Sequence, residues 1–298
     1  MSNPAGNWCL IESDPGVFSE LIRGFGCTGV QIEELYSLDD SAFADLRPVH
    51  GLVFLFKWRP GDEPSGSIVH DDNIFFAQQV IQNACATQAI VNMLLNSENS
   101  EITLGSILTE FRDFTRGFQP ADRGLALSNS EPIRSVHNSF ARQTLYEVDQ
   151  SHASEKDDNF HFITYLPIGG HVYELDGLLE GPVKLGKVDE GQDWLQVVRP
   201  VIEKRIQKYS EGEIHFNLMA VISDRKSTYQ NQLKQIAETL SPEEAASEIC
   251  RLQALIDQED EKRQTFREGK LVKLVQQAEE KTKAKAATTE KKTETSTA

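Results

Sequence analysis

Phe160-His-Phe-Ile-Thr-Tyr-Leu-Pro-Ile-Gly-Gly-His-Val-Tyr-Glu-Leu-Asp-Gly177 is the stretch on which the reading of the chain turns. Two runs rich in aromatic and β-branched residues flank Pro167-Ile168-Gly169-Gly170, a combination that signals a tight turn between paired strands. With Ile168-Gly169 taken as a two-residue loop, antiparallel pairing sets His161 directly opposite Asp176. Directly opposed side chains share a face, with Cβ atoms roughly 4.5–5.5 Å apart. That distance lets a carboxylate hold an imidazole. The plain alternative for such a His–Asp pair is a solvated surface contact. Asp176-Gly177 also closes the second strand, and side chains that do chemistry are often presented beside loops.

Working upstream, Gly51-Leu-Val-Phe-Leu-Phe-Lys-Trp58 is a short apolar run bounded by His50-Gly51 and Pro60-Gly61, and reads as a buried strand. Ile214 to Ile222 reads the same way. Asn83 to Leu95 predicts a helix, with Ala89, Ile90, Met93 and Leu94 at helical spacing and Asn83 as its cap. Trp194 to Tyr209 predicts another, interrupted by Pro200. Strands and helices alternate with no internal repeat.

Cys85 falls in the first turn of the helix at Asn83. Exposed N–H groups and the positive end of the helix dipole favour a thiolate there. Ala84 and Ala86 leave room for a substrate backbone. A thiolate attacks a carbonyl once a nearby His takes its proton, and the tetrahedral oxyanion then needs donors. The Cys85 N–H is one. A glutamine amide just upstream is the other, and periodicity leaves Gln78, Gln79 and Gln82 equally open. The bland reading of a cysteine in an apolar helix is a core residue. A Cys upstream of a His and an Asp points instead to a nucleophile.

The chain has 298 residues, 39% hydrophobic and 26% charged, the balance of a globular protein. No apolar run reaches the ~18 residues that a membrane span needs. The start of the chain lacks the basic flank and long apolar core of a signal peptide, so a cytoplasmic or nuclear location is expected. Cys9, Cys27, Cys85 and Cys250 form no CxxC pair and no zinc spacing, so neither disulfide nor metal is expected. There is no phosphate-binding or dinucleotide fingerprint, and no cofactor is expected. The remaining histidines, His50, His70, His137, His152, His171 and His215, read as structural or surface residues.

The net charge of −16 is unevenly spread. Residues 225–298 hold 14 basic and 13 acidic side chains, which leaves −17 for residues 1–224. An acidic body repels nucleic acid and anionic lipid and favours a basic partner. Beyond residue 225 the composition turns to Glu, Lys, Gln and Ala, which form helices. Leu233, Ile236 and Leu240 step by three and four. Ser241-Pro242-Glu243-Glu244 reads as a new helix start with a capping box. Ala245, Ile249, Leu252 and Ile256 continue a narrow seam, so a helical hairpin or coiled-coil arm is expected. Lys281 to Ala298 has no core-forming residues and reads as disordered. The expected organisation is a catalytic domain over 1–226, a helical tail over 227–280 and a disordered end over 281–298.

The segment Gln79-Val-Ile-Gln-Asn-Ala-Cys85-Ala-Thr-Gln-Ala89 resembles the nucleophile motif of the ubiquitin carboxyl-terminal hydrolases. Phe160-His161-Phe162, followed by Tyr173-Glu-Leu-Asp-Gly177, resembles their His and Asp motifs. Trp8-Cys-Leu-Ile-Glu-Ser-Asp-Pro-Gly-Val-Phe18, Gly124-Leu-Ala-Leu-Ser-Asn-Ser130, Val136-His-Asn-Ser-Phe-Ala-Arg142 and Arg199-Pro-Val-Ile-Glu-Lys-Arg-Ile-Gln-Lys-Tyr-Ser-Glu-Gly212 are similar to stretches of a long, proteasome-associated member. The resemblance spans about residues 7–226. It implies a papain-like α/β (α+β) fold: a central antiparallel sheet flanked by helices, a knotted backbone and a C-terminal helical extension. It implies Cys85 as nucleophile, His161 as general base and acid, Asp176 as the group orienting His161, and Gln79, six residues before the nucleophile, as the oxyanion-hole glutamine. It implies ubiquitin as substrate, and a crossover loop over the site at about Tyr146–Asn159. Leu271-Val-Lys-Leu-Val-Gln-Gln-Ala-Glu-Glu-Lys281 and the Lys-rich run after it resemble the end that docks on a proteasomal ubiquitin receptor. Two alternatives stand beside this one: a proteasome-recruited scaffold with incidental activity, and a protease for another ubiquitin-like modifier.

Overall fold

The computed structural model describes residues 7–58, 64–141, 160–209, 216–239 and 245–269. It divides into two compact units, Met1–Asp224 and Arg225–Ala298. In the first, strands β1 (Val30–Leu35), β2 (Val49–Lys57), β3 (Ser67–Ile68), β4 (Phe160–Ile168), β5 (His171–Asp176), β6 (Val183–Lys187) and β7 (Phe216–Ser223) make one sheet. Its order is β1-β7-β2-β4-β5-β6-β3, and every neighbouring pair is antiparallel. The helices are α1 (Pro15–Gly24), α2 (Asp40–Ala44), α3 (Cys85–Leu95), α4 (Gly105–Phe114), α5 (Pro120–Asn129), α6 (Glu131–Asn138) and α7 (Trp194–Tyr209).

The apolar runs become central strands because helices cover both of their faces, so alternation of polar and apolar residues is lost. Leu52, Phe54, Phe56, Ile163 and Tyr165 form one core with Trp194, Leu195, Val198 and Ile202 of α7. The opposite face of β4 carries Phe162, whose ring meets Phe18 of α1 edge-on at 5.6 Å. Helix α3 packs on β4, β2 and β5. Every residue from Ala86 to Leu94 is buried, the pattern of a helix enclosed on all sides.

Three local expectations are corrected. The hairpin register pairs Ile163 with Asp176 and Ile168 with His171, so the loop is Gly169-Gly170. Both glycines have positive φ, +54° and +74°. A two-residue loop of the type that fits strand twist demands positive φ at both positions, and an isoleucine at the first would be strained. The shift is two residues, so every side chain keeps its face. His161 lies two residues beyond the residue paired with Asp176, opposite Phe56 of β2. Second, Asn83 is not a helix cap. Gln82–Ala84 form a 3₁₀ turn, and the Asn83 Nδ2 donates to the Trp8 carbonyl at 3.0 Å. Third, α7 runs through Pro200. Proline removes one helical hydrogen bond, but Leu195 and Val198 before it and Ile202 after it all enter the core.

In the second unit, α8 (Arg225–Thr239) is followed by α9, over 245–269. Lys226 Nζ lies 2.6 Å from Asp260 Oδ1, and Arg225 lies 4.0 Å from Glu259. These pairs join the first turn of α8 to the middle of α9. Ala245, Leu252 and Ile256 are buried, while Ile249 is exposed. The cap at Ser241–Glu244, the crossover loop at 146–159 and the tail segments at 271–281 and 281–298 lie outside the described residues. Among the described residues no helix is long and apolar enough to cross a membrane.

Nothing lies within 4 Å of a Cβ added at Gly170, so only backbone conformation opposes a side chain there. Gly170→Val is expected to destabilise the first unit by about 1–2 kcal/mol, the strain of a left-handed residue. A urea unfolding midpoint indistinguishable from wild type would contradict this.

Candidate active site

At the end of the β4–β5 hairpin, His161 Nε2 lies 2.6 Å from Asp176 Oδ1, and both side chains are buried. The same oxygen accepts the Leu178 N–H at 2.9 Å, which fixes the carboxylate from the turn that follows. An ionised carboxylate only accepts, so the imidazole donates from Nε2 and leaves Nδ1 as its second, proton-accepting nitrogen. The Phe56 ring stands edge-on to His161 at 5.9 Å. Two residues before Asp176 and on its face of β5, Glu174 is fully buried and pairs with Arg205 at 3.0 Å. Burial pushes the Glu174 carboxyl up, and the Arg205 charge opposes the rise. Arg205 also lies over the Phe56 ring at 5.2 Å.

Cys85 is the first residue of α3 and is partly exposed. Backbone N–H groups of Ala86, Cys85 and Phe162 point at its sulfur and favour the thiolate, as expected for a helix start. Burial opposes them and pushes the thiol up to about 11. The Phe162 contact places the sulfur against β4 one residue after His161. Among the described residues no hydrogen bond joins the sulfur to the imidazole.

Gln79 is part-buried, and its N–H donates to the Gly177 carbonyl at 2.8 Å. The residue implied for the oxyanion hole is therefore tied to the residue after Asp176. Its neighbour Gln78 spends its side-chain amide on the Leu179 carbonyl at 2.9 Å. Gly177 is a site residue that the sequence reading passed over as a strand end. A Cβ there would stand 2.4 Å from Gln88 Nε2 and 3.1 Å from the Gln79 Cβ, so a side chain at this position would have to displace the Gln88 amide. The Asp-Gly dipeptide was the available signal. His137 is buried elsewhere, with Nδ1 2.7 Å from Thr87 Oγ1 and Nε2 2.7 Å from the Cys9 carbonyl. Burial lowers its pKa, and the bond to the Cys9 carbonyl opposes the fall. Among the described residues no group of three or more His, Cys, Asp or Glu side chains is placed to hold a metal ion.

A thiol at a helix start, an imidazole steadied by a carboxylate and a glutamine beside them are the parts of nucleophilic acyl transfer. The model of the family described as ubiquitin carboxyl-terminal hydrolase, family 1, matches residues 8–207. The chain belongs to that family. It is 52% identical over 263 residues to ubiquitin carboxyl-terminal hydrolase ubh-4 of Caenorhabditis elegans, covering 88% of this chain and 81% of that protein. It is 51% identical over 226 residues to ubiquitin carboxyl-terminal hydrolase isozyme L5 of Dictyostelium discoideum, covering 76% of this chain and 65% of that one. Its fold is similar to the crystal structure of Trichinella spiralis UCH37 bound to ubiquitin vinyl methyl ester. The TM-score is 0.73 at 47% identity, over 88% of this chain and all of that one.

As a ubiquitin carboxyl-terminal hydrolase, the chain is a thiol-dependent ubiquitinyl hydrolase. The family match ends before β7, yet β7 pairs with both β1 and β2 and is part of the same sheet. The fold is α+β, a central antiparallel sheet with helices and further helices at the C-terminal end.

A thiol raised to about 11 is almost wholly protonated at neutral pH. Alkylation of Cys85 by iodoacetamide, followed peptide by peptide in the free enzyme, is therefore expected to quicken about tenfold per pH unit between pH 7 and 9. A plateau below pH 7 would show instead that a thiolate–imidazolium pair exists at rest.

Proposed function

We propose that the hydrolase cleaves the bond after the C-terminal glycine of ubiquitin through a thioester on Cys85. The observation that carries this is the buried 2.6 Å contact of His161 with Asp176, beside the strand backbone that reaches the Cys85 sulfur. His161 Nδ1 takes the thiol proton as the sulfur attacks the glycine carbonyl carbon. The Cys85 N–H and the Gln79 amide receive the oxyanion. The carbon–nitrogen bond breaks, and the imidazolium returns its proton to the leaving amine. Water, deprotonated by the same imidazole, then hydrolyses the thioester and frees the thiol and the carboxylate. Asp176 holds the tautomer and stabilises the imidazolium.

The charge of residues 1–224 supports ubiquitin as the substrate, because its C-terminal tail is basic and a net −17 attracts it. The knotted path and the crossover loop at 146–159 belong to this reading, as implied by the family resemblance. So does the assignment of 1–226 as the catalytic domain. The tail over 227–298 is the part that recruits the enzyme to a proteasomal ubiquitin receptor, in the cytoplasm and nucleus. Support for this is the resemblance of 271–281 to the docking end of a long family member.

Cys85→Ala is expected to abolish hydrolysis of a ubiquitin C-terminal amide while receptor binding persists, and deletion of 227–298 to do the reverse. Full hydrolytic activity in the Cys85→Ala protein would end the assignment. Asp176→Asn should lower kcat by two to four orders of magnitude, about the effect of losing the orienting carboxylate in a related triad. Trapping with C-terminal electrophiles on ubiquitin and on other ubiquitin-like modifiers decides the substrate, since preferential labelling by another modifier would replace ubiquitin.

A further inference from the structure

Helix α3 carries Gln88, Asn92 and Asn96 at successive four-residue steps, the last as its cap, on one face of a helix whose other residues after Cys85 are apolar except Thr87. All three are buried, at 3%, 1% and 7% exposure. Each turns its amide toward the extended segment at 75–77. Asn96 Oδ1 accepts the Phe75 N–H at 2.8 Å, and its Nδ2 donates to the Phe75 carbonyl at 2.6 Å. Asn92 Oδ1 accepts the Ala77 N–H at 2.9 Å, and its Nδ2 donates to the Ala77 carbonyl at 3.2 Å. Gln88 Nε2 donates to that same carbonyl at 2.5 Å. Four helical residues rise about 6 Å and two extended residues advance about 6.6 Å, so side-chain amides on a helix can pair with a backbone as a neighbouring strand would.

Gln88 does more than complete the ladder. It stands on α3 three residues after Cys85, on the same side of the helix. Its Nε2 lies against Gly177, the residue that follows Asp176. Through the Ala77 carbonyl it holds the chain two residues before Gln79, whose own N–H is bound to Gly177. One buried amide thus meets the helix of the thiol, the strand end of the carboxylate and the segment of the glutamine. We infer that Gln88 is a positioning residue, which sets the spacing of Cys85, the Gln79 amide and Asp176. The inference rests on the proposed role of Gln79 in holding the oxyanion.

The Ala77 carbonyl keeps a donor in Asn92 when Gln88 is replaced, so the fold survives while the 77–79 segment gains freedom to shift. The test compares Gln88→Met, Gln88→Asn, Asn96→Ala and Gln79→Ala in the full-length chain. Each is read by kcat and KM on a ubiquitin C-terminal amide, by thermal midpoint and by affinity for ubiquitin C-terminal aldehyde, whose adduct with the thiol is tetrahedral. Gln88→Met is expected to lower kcat roughly tenfold to a hundredfold, since a displacement of about 1 Å can have an effect of that size. KM should stay within about twofold, and aldehyde affinity should fall in step with kcat. Gln88→Asn, one methylene shorter, should show a smaller loss of the same kind, and it stands in if the Met variant does not fold. Asn96→Ala should lower the thermal midpoint at least as far yet keep kcat within about threefold. Unchanged kcat in both Gln88 variants, or kcat losses that follow the thermal midpoint across Gln88 and Asn96 variants alike, would overturn the inference. Full activity in Gln79→Ala would instead overturn the oxyanion role on which it rests.

Discussion

A carboxylate oxygen sits 2.6 Å from an imidazole nitrogen at the end of a hairpin, with both groups shielded from water. Neither group is stable there alone. A buried carboxylate needs donors, and Asp176 has the imidazole and the Leu178 N–H. A buried imidazole needs a fixed tautomer, and the carboxylate supplies it. The neighbouring charges are balanced separately, with Glu174 answered by Arg205 rather than competing for the same imidazole. The rest of the first unit keeps this pair in place: β2 and β4 run side by side through the centre of the sheet, and α7 closes the face that holds Phe56 and Tyr165.

The thiol answers to a different constraint. Its helix start and three backbone N–H groups favour the anion, but removal from water favours the neutral form more strongly. Its reactivity depends on the imidazole that takes its proton. The polar ladder of α3 is consistent with this arrangement. Amides paired with a neighbouring backbone segment add directional bonds to the apolar packing of that helix.

Much of this was legible in the chain. The apolar runs at 51–58 and 214–222 announced central strands, found at Val49–Lys57 and Phe216–Ser223 with 214 and 215 outside the described residues, because a strand covered on both faces has no polar side. Cys85, His161 and Asp176 stood out as residue types whose combination has a chemistry, and the hairpin brought two of them to one face by local geometry alone. The choice of Gln79 over Gln78 and Gln82 was not legible from spacing. It came from likeness to a family, and the observed bond from Gln78 to Leu179 depends on a partner a hundred residues away.

What the sequence by itself determined was therefore local: a glycine turn between two strands, the strand periodicities and the placing of His161 and Asp176 on one side of a ribbon. Even there, the register waited on backbone torsion, because two glycines with positive φ accept a conformation that isoleucine resists. Tertiary structure alone decided which buried groups meet. Gly177 is confined by Gln88 and Gln79, the Cys85 sulfur is set against the β4 backbone at Phe162, and the amides of α3 find the backbone at 75–77. Those outcomes depend on distance and dehydration between segments far apart in the chain, and no pattern within a single segment encodes either.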